Sequence, residues 1–198
     1  MARYITVTAA VTVAEPRLRA YLRSPLAPAS AWPESDWAGL CTPWPDPALR
    51  GQYLAELPAA VAECDSRLDG DHADHLLELA EQDDLTLRHD GATGALALDL
   101  DTRVDFELPG MVWAFTVLRG LAEVMAEGDG GLVELTPDWT GGTVPMLLAP
   151  GRSAFLDPAR DAAALARARD AAFDVRCAAP GPEADESAAG LLERLLEV

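Results

Sequence analysis

The chain has 198 residues, 49% hydrophobic and 24% charged, a globular rather than disordered composition that fits one domain over residues 1–198. Its net charge is −18, and all fifteen basic residues are Arg. That acid excess argues against direct binding to nucleic acid, which needs a basic face, and against adsorption to an anionic membrane.

Residues 4–13 alternate with period two. Ile5, Val7, Ala9, Val11 and Val13 lie on one side and three threonines on the other, which predicts a half-buried strand. Glu15-Pro16 opens a short helix to Arg23 that buries Leu18, Tyr21 and Leu22. Residues 24–47 hold six prolines and three tryptophans, Trp32, Trp37 and Trp44, and read as a long loop. Asp46-Pro47 caps a helix that Pro58 kinks or restarts and that runs to about Leu68. Another helix is expected from His72 to Glu81.

Leu85 to Arg88, the turn Asp90-Gly91-Ala92-Thr93-Gly94 and a return strand over 95–107 form a hairpin, the glycines supplying positive φ. In the return strand Leu96, Leu98, Leu100, Val104 and Phe106 face one way. Ala97, Asp99, Asp101, Arg103, Asp105 and Glu107 face the other, giving one buried and one wetted face. Pro109 starts an apolar helix ending near Gly128; its stretch Met111 to Ala126 carries Arg119 and Glu123 and is too short to span a bilayer. Strands are expected over 132–136 and 144–148. A helix from Asp157-Pro158 to about Ala172, a strand over 173–177, a linker at Pro180-Gly181-Pro182 and an amphipathic helix over 187–198 complete the chain.

The expected fold class is α+β. The order β-α-β-β-α-β predicts a ferredoxin-like core over about 3–23 and 85–136, with a long insertion at about 24–84 and helical and strand additions over 144–198. Cys41, Cys64 and Cys177 are widely spaced and odd in number, which points to reduced thiols. Met1 to Val7 enters the first strand without a signal-like apolar stretch, so the expected location is cytoplasmic.

Several chemistries are missing. Without lysine there is no P-loop, no Schiff-base nucleophile and no Ser-Lys dyad. None of the six serines lies in a G-x-S-x-G elbow, and Gly128-Asp129-Gly130-Gly131 follows a helix where a dinucleotide loop would follow a strand. The expectation leans away from an enzyme, and no cofactor is implied.

What remains is charge and aromatic surface. Residues 63–107 hold fourteen Asp or Glu against three Arg. If the helix at 72–81 lies beside the hairpin, Asp71, Asp74, Asp99, Asp101, Asp105 and Glu107 become one acidic patch that attracts a basic protein. Alternate carboxylates on a strand lie roughly 6.6–6.8 Å apart, too far to share a proton easily. Trp32, Trp37 and Trp44 either pack their loop onto the core or add aromatic anchors to that patch. His72 and His75, one helical turn apart, with Glu78 are weak metal candidates, since no third ligand follows from any motif.

The preferred expectation is an acidic, non-enzymatic protein that caps a basic partner, as an immunity protein, an antitoxin-like inhibitor or a nucleic-acid mimic does. The alternative is a small Asp/Glu/His-based enzyme or ligand-binding domain, with or without a metal, whose cleft lies between the sheet and the insertion. A self-associating structural module is a third.

Overall fold

The computed structural model describes residues 3–82, 84–104, 107–181 and 187–197. It is mixed helix and sheet, built on six antiparallel strands: β1 (Arg3–Thr12), β2 (Leu85–Asp90), β3 (Ala95–Val104), β4 (Gly131–Pro137), β5 (Val144–Ala149) and β6 (Arg152–Phe155). Their spatial order is β2-β3-β1-β4-β5-β6. The first strand is central because its β-branched alternation suits pairing on both edges. Val7 sits opposite Leu100 on one side and Leu135 on the other. At the hairpin, Gly94 takes φ +73°, and a Cβ there would lie 3.1 Å from the Val13 carbonyl oxygen, so glycine is required twice over.

The helices are α1 (Glu15–Leu22), α2 (Glu34–Trp37), α3 (Pro47–Asp65), α4 (His72–Glu81), α5 (Glu107–Arg119), α6 (Leu121–Val124), α7 (Ala162–Ala178) and α8 (Ala188–Leu196). Short 3-10 turns at Ala29–Ala31 and Ala38–Cys41 flank α2. Ile5, Val7, Ala9 and Val11 of β1 share one continuous core with α1, α3, α4, α5 and α8. Most of α5 is buried, including Met111, Val112 and Phe115 at 0% exposure. Among the described residues, no helix is long and apolar enough to cross a membrane.

Four expectations need correction. Pro58 does not restart α3, which runs unbroken through it and ends at Asp65 rather than near Leu68. The carbonyl deprived of its N–H belongs to Leu54, an exposed residue, so the loss is a modest one. The return strand ends at Val104, and Glu107 is the first residue of α5 rather than a strand residue. The apolar helix is divided at Gly120 into α5 and α6 and ends at Val124. Residues 173–177 continue α7 instead of forming a strand, because the Ala-rich helix before them carries on through a five-residue alternation.

The wetted sheet face is partly covered. Helix α7 lies across β1, β3 and β4 on the side opposite the main core, over a small cluster of Ala95, Ala97 and Ala179. Leu165 is its buried side chain, and Phe173 is 66% exposed. Polar clamps hold it: Arg169 Nη2 lies 2.7 Å from Glu134 Oε1, and Arg176 Nη2 contacts both Asp99 oxygens at 2.7 and 2.8 Å. These groups are a third exposed or more on the arginine side, so each pair contributes on the order of 0.2–1 kcal/mol. Arg176→Ala is therefore expected to speed amide exchange across 162–178 while lowering global stability by less than about 1 kcal/mol. Unchanged exchange in that helix would show that apolar contact, not the clamp, holds it.

Candidate functional site

Burial and pairing sort the expected patch into two groups. Asp99 is not free for a partner: Arg176 chelates it, and Arg88 Nη2 approaches to 3.3 Å. Glu107 is also engaged. Arg3 Nε donates to its Oε1 at 2.8 Å, and the Tyr53 hydroxyl donates to its Oε2. Asp105 lies outside the described residues.

Asp71 and Asp74 form a capping box at the start of α4. Each carboxylate accepts the other's backbone N–H at 3.0 Å, as Asp at N-cap and N3 positions does. Their first role is to start the helix, although Asp74 remains exposed. Asp101 is exposed.

Two of the tryptophans belong to the core. Trp37 is 0% exposed and donates from Nε1 to the Ala29 carbonyl at 2.9 Å. Trp44 is 1% exposed and packs edge-on to Tyr53 at 4.5 Å between centroids. Buried rings cannot anchor a partner, so for these two the packing alternative is the correct one. Trp32 is half-buried and edges onto Trp37 at 6.1 Å.

The two histidines turn away from each other. His72 is 4% exposed, stacked on Tyr21 at 4.1 Å, with Nδ1 donating to the Ser24 carbonyl at 2.9 Å. A carbonyl only accepts, so Nδ1 carries the proton. Burial lowers the pKa of His72. His75 Nε2 donates to the Asp69 carbonyl at 2.9 Å, and its ring faces Trp113 at 6.5 Å. Among the described residues no three His, Cys, Asp or Glu side chains gather as a metal centre would require.

A cleft does open between the insertion and the sheet. Its volume is about 350 Å³, and Arg67, His75, Glu78, Arg103, Gly110 and Trp113 are among its walls. The C-terminal end of α3, the exposed side of α4, the end of β3 and the first turns of α5 meet there. Leu79, Val104 and Pro109 make part of its lining apolar. Cys64 also lines it, but burial pushes the thiol up to about 12, so it is no nucleophile at neutral pH. Glu78 in its wall and Glu81 one turn further along α4 are exposed, whereas Asp101, opposite Thr6 in the β1–β3 ladder, faces the other side of the sheet. Asp84 nearby accepts the Thr102 hydroxyl at 2.8 Å.

Sequence reasoning missed one polar network. Trp139 Nε1 donates to Tyr53 Oη at 2.9 Å, Tyr53 donates to Glu107, and the Arg3 guanidinium lies 5.6 Å from the Trp139 ring centroid. It joins β1, α3, α5 and the loop after β4, whose members lie up to 136 positions apart in sequence. Desolvation first, and then the Glu107 carboxylate, raise the Tyr53 pKa, so the phenol stays protonated and donating. No local motif announces such a contact.

No protein-family model, no curated protein sequence and no solved structure matches this chain, so what it does has to follow from its own side chains.

Proposed function

We propose that the chain is a non-enzymatic acidic binding protein that docks a basic protein partner, in the manner of an immunity protein, an antitoxin-like inhibitor or a nucleic-acid mimic. Its docking face is the exposed side of α4 and the cleft beside it, not the strip along β3. The observation that carries this reading is one stretch of surface: exposed Glu78, with Glu81 one turn further along α4, borders a partly apolar cleft whose walls include Leu79, Val104 and Trp113. Exposed carboxylates beside apolar surface steer a cationic partner and then give it something to bury. Trp32 lies elsewhere, against Trp37 and Arg119, and plays no part at this face.

The strand order β2-β3-β1-β4, with helices between β1 and β2 and between β3 and β4, supports a ferredoxin-like core extended by the β5–β6 hairpin. We read the whole chain as one such domain working in the cytoplasm, where its thiols stay reduced.

The test is an NMR titration of the labelled protein with an arginine-rich peptide. Shifts are expected on α4 and on residues 101–113, with affinity falling about tenfold or more between about 0.05 M and about 0.5 M salt. Glu78→Lys combined with Glu81→Lys is expected to weaken binding by about tenfold, mainly through the on-rate. Shifts scattered over the whole surface, or an affinity indifferent to salt and to the double reversal, would refute the reading.

The cleft's size favours one other reading. At about 350 Å³ it falls in the range of small-ligand sites, roughly 300–1,000 Å³, and His75 and Glu78 lie in its wall. A small-ligand domain is supported over a docking protein if saturable ligand shifts at Trp113 survive about 0.5 M salt.

A further inference from the structure

At the far end of α5, about 15 Å along the helix from Pro109, lies a second cavity of about 440 Å³. It is walled by the insertion on one side and by β6 on the other, with Asp36, Leu54, Arg119, Ser153, Phe155 and Arg160 among its lining. Arg119 is only 2% exposed. Its Nε donates to Ser153 Oγ at 2.7 Å, and Nη2 lies 3.5 Å from Asp36 Oδ2. Nη1 is buried and has no hydrogen-bond partner among the described residues. The guanidinium carbon sits 4.5 Å from the Trp32 ring centroid, 4.9 Å from Trp37 and 5.8 Å from Phe155.

We propose that this cavity is a binding site for small monocarboxylates, with Arg119 as its anion anchor. The aromatic rings hold the flat cation in one orientation and keep water off it. Burial draws its pKa down to about 10, which still leaves it charged at neutral pH. A guanidinium fork is built to engage two oxygens side by side. Asp36 approaches one arm, at a distance longer than a good charge-assisted bond, and leaves the other empty. A carboxylate entering from the cavity recovers that buried donor.

The lining also selects the class of anion. Arg119 and Arg160 are matched by Asp36 and Asp157, so formal charge in the cavity is balanced. A dianionic phosphate meets two carboxylates there, whereas a monocarboxylate need only displace the side chain of Asp36, which is 45% exposed. Leu54, Phe155 and Leu156 give an aryl or alkyl body an apolar wall. Asp36 thus acts as a resident competitor for the anchor. Arg160 is 74% exposed and paired with Asp161, so it carries little of the recognition.

The probes are phenylacetate, its neutral isostere phenylacetamide, and inorganic phosphate, each titrated into the labelled full chain. Phenylacetate is expected to saturate with a Kd on the order of 1 mM, moving the amides of Asp36, Gly39 and Ser153 and the indole signals of Trp32 and Trp37. Phenylacetamide is expected to bind at least about tenfold more weakly, because it brings no charge to the anchor. Asp36→Asn removes the competitor and is expected to tighten phenylacetate several-fold, whereas Arg119→Met abolishes binding. Should Arg119→Met fail to fold, the amide and Asp36→Asn comparisons still decide the matter. Equal binding of acid and amide, tighter binding of phosphate than of phenylacetate, or no response to Asp36→Asn would overturn the proposal. The cleft at the opposite end of α5 is untouched by any of these outcomes.

Discussion

Trp37→Ala is expected to lower the free energy of unfolding by about 3–5 kcal/mol, against about 1–2 kcal/mol for Trp32→Ala. The ring of Trp37 is 0% exposed and its Nε1 satisfies the Ala29 carbonyl at 2.9 Å. It packs on Phe155 at 6.0 Å and lies 4.9 Å from the Arg119 guanidinium carbon. Truncation therefore leaves a large cavity, a carbonyl reduced to one long bond from the Trp32 N–H at 3.3 Å, and a buried cation stripped of one ring. Trp32 shares the cation but is half-buried, so part of its volume refills with water. Urea unfolding of both variants measures the difference. A domain of this size is stable by about 5–15 kcal/mol, so the larger loss takes a substantial share of the total. A partner-contacting Trp would do the reverse, lowering affinity while sparing stability; a Trp37→Ala cost below about 1 kcal/mol would return it to the surface.

The same residue shows where local pattern reaches its limit. Strand β1 was legible because period-two alternation over ten residues admits one geometry, and the Asp90–Gly94 turn was legible from its glycines, although Gly94 takes the positive φ and Gly91 does not. The capping letter that begins α3 was equally plain, with Asp46 capping as read, whereas the cap that Asp71 supplies to α4 was not read. The loop over 24–47 carries no period, so nothing in its letters said that Trp37 and Trp44 point inward. A helix was expected at α7, but its place on the sheet was hidden: it attaches through Arg169 and Arg176, and an arginine's partner is not written beside it. That attachment is what converts Asp99 from an exposed acid into a structural one. The expected cleft between insertion and sheet follows from topology, since a long insertion leaving β1 and returning to β2 must lie beside them. Arg119, read only as a charge that bars a membrane span, was the strongest signal overlooked. A lone arginine at the end of a buried apolar helix needs partners supplied by the rest of the fold.

Gly120→Ala is expected to destabilise the fold by about 1–3 kcal/mol, although alanine is the better helix former. A Cβ at this position would lie 2.4 Å from His72 Nε2, 3.0 Å from its Cε1 and 3.2 Å from Tyr21 Cε2. The imidazole can step aside only by giving up its contacts. It is stacked on Tyr21, whose hydroxyl donates to the Val117 carbonyl at 3.0 Å, and its Nδ1 proton is committed to Ser24. Removing the ring should relieve the clash, so His72→Ala with Gly120→Ala is expected to cost less than the sum of the single variants. The same geometry sets the pH dependence. With Nδ1 already protonated, a second proton must go to Nε2, which is pressed against Gly120 away from water. Burial therefore lowers the pKa from 6.5, with His75 acting in the same direction and Asp71 and the Ser24 carbonyl opposing. The unfolded chain binds this proton near pH 6.5 and the folded chain only at lower pH, so stability falls as pH drops below 6.5 and levels off once the folded-state pKa is passed. The slope cannot exceed about 1.4 kcal/mol per pH unit for one proton. The lowered carboxylates Glu15, Asp90 and Asp161 act in a separate window, below their ordinary values near 4. Unfolding curves at about pH 7.5 and about pH 5.5 should show a loss in the parent chain that His72→Gln abolishes. Gly120→Ala, by forcing the ring toward water, should flatten that dependence while lowering stability at both pH values. An unaltered slope in His72→Gln would mean that the buried imidazole is not the group that titrates.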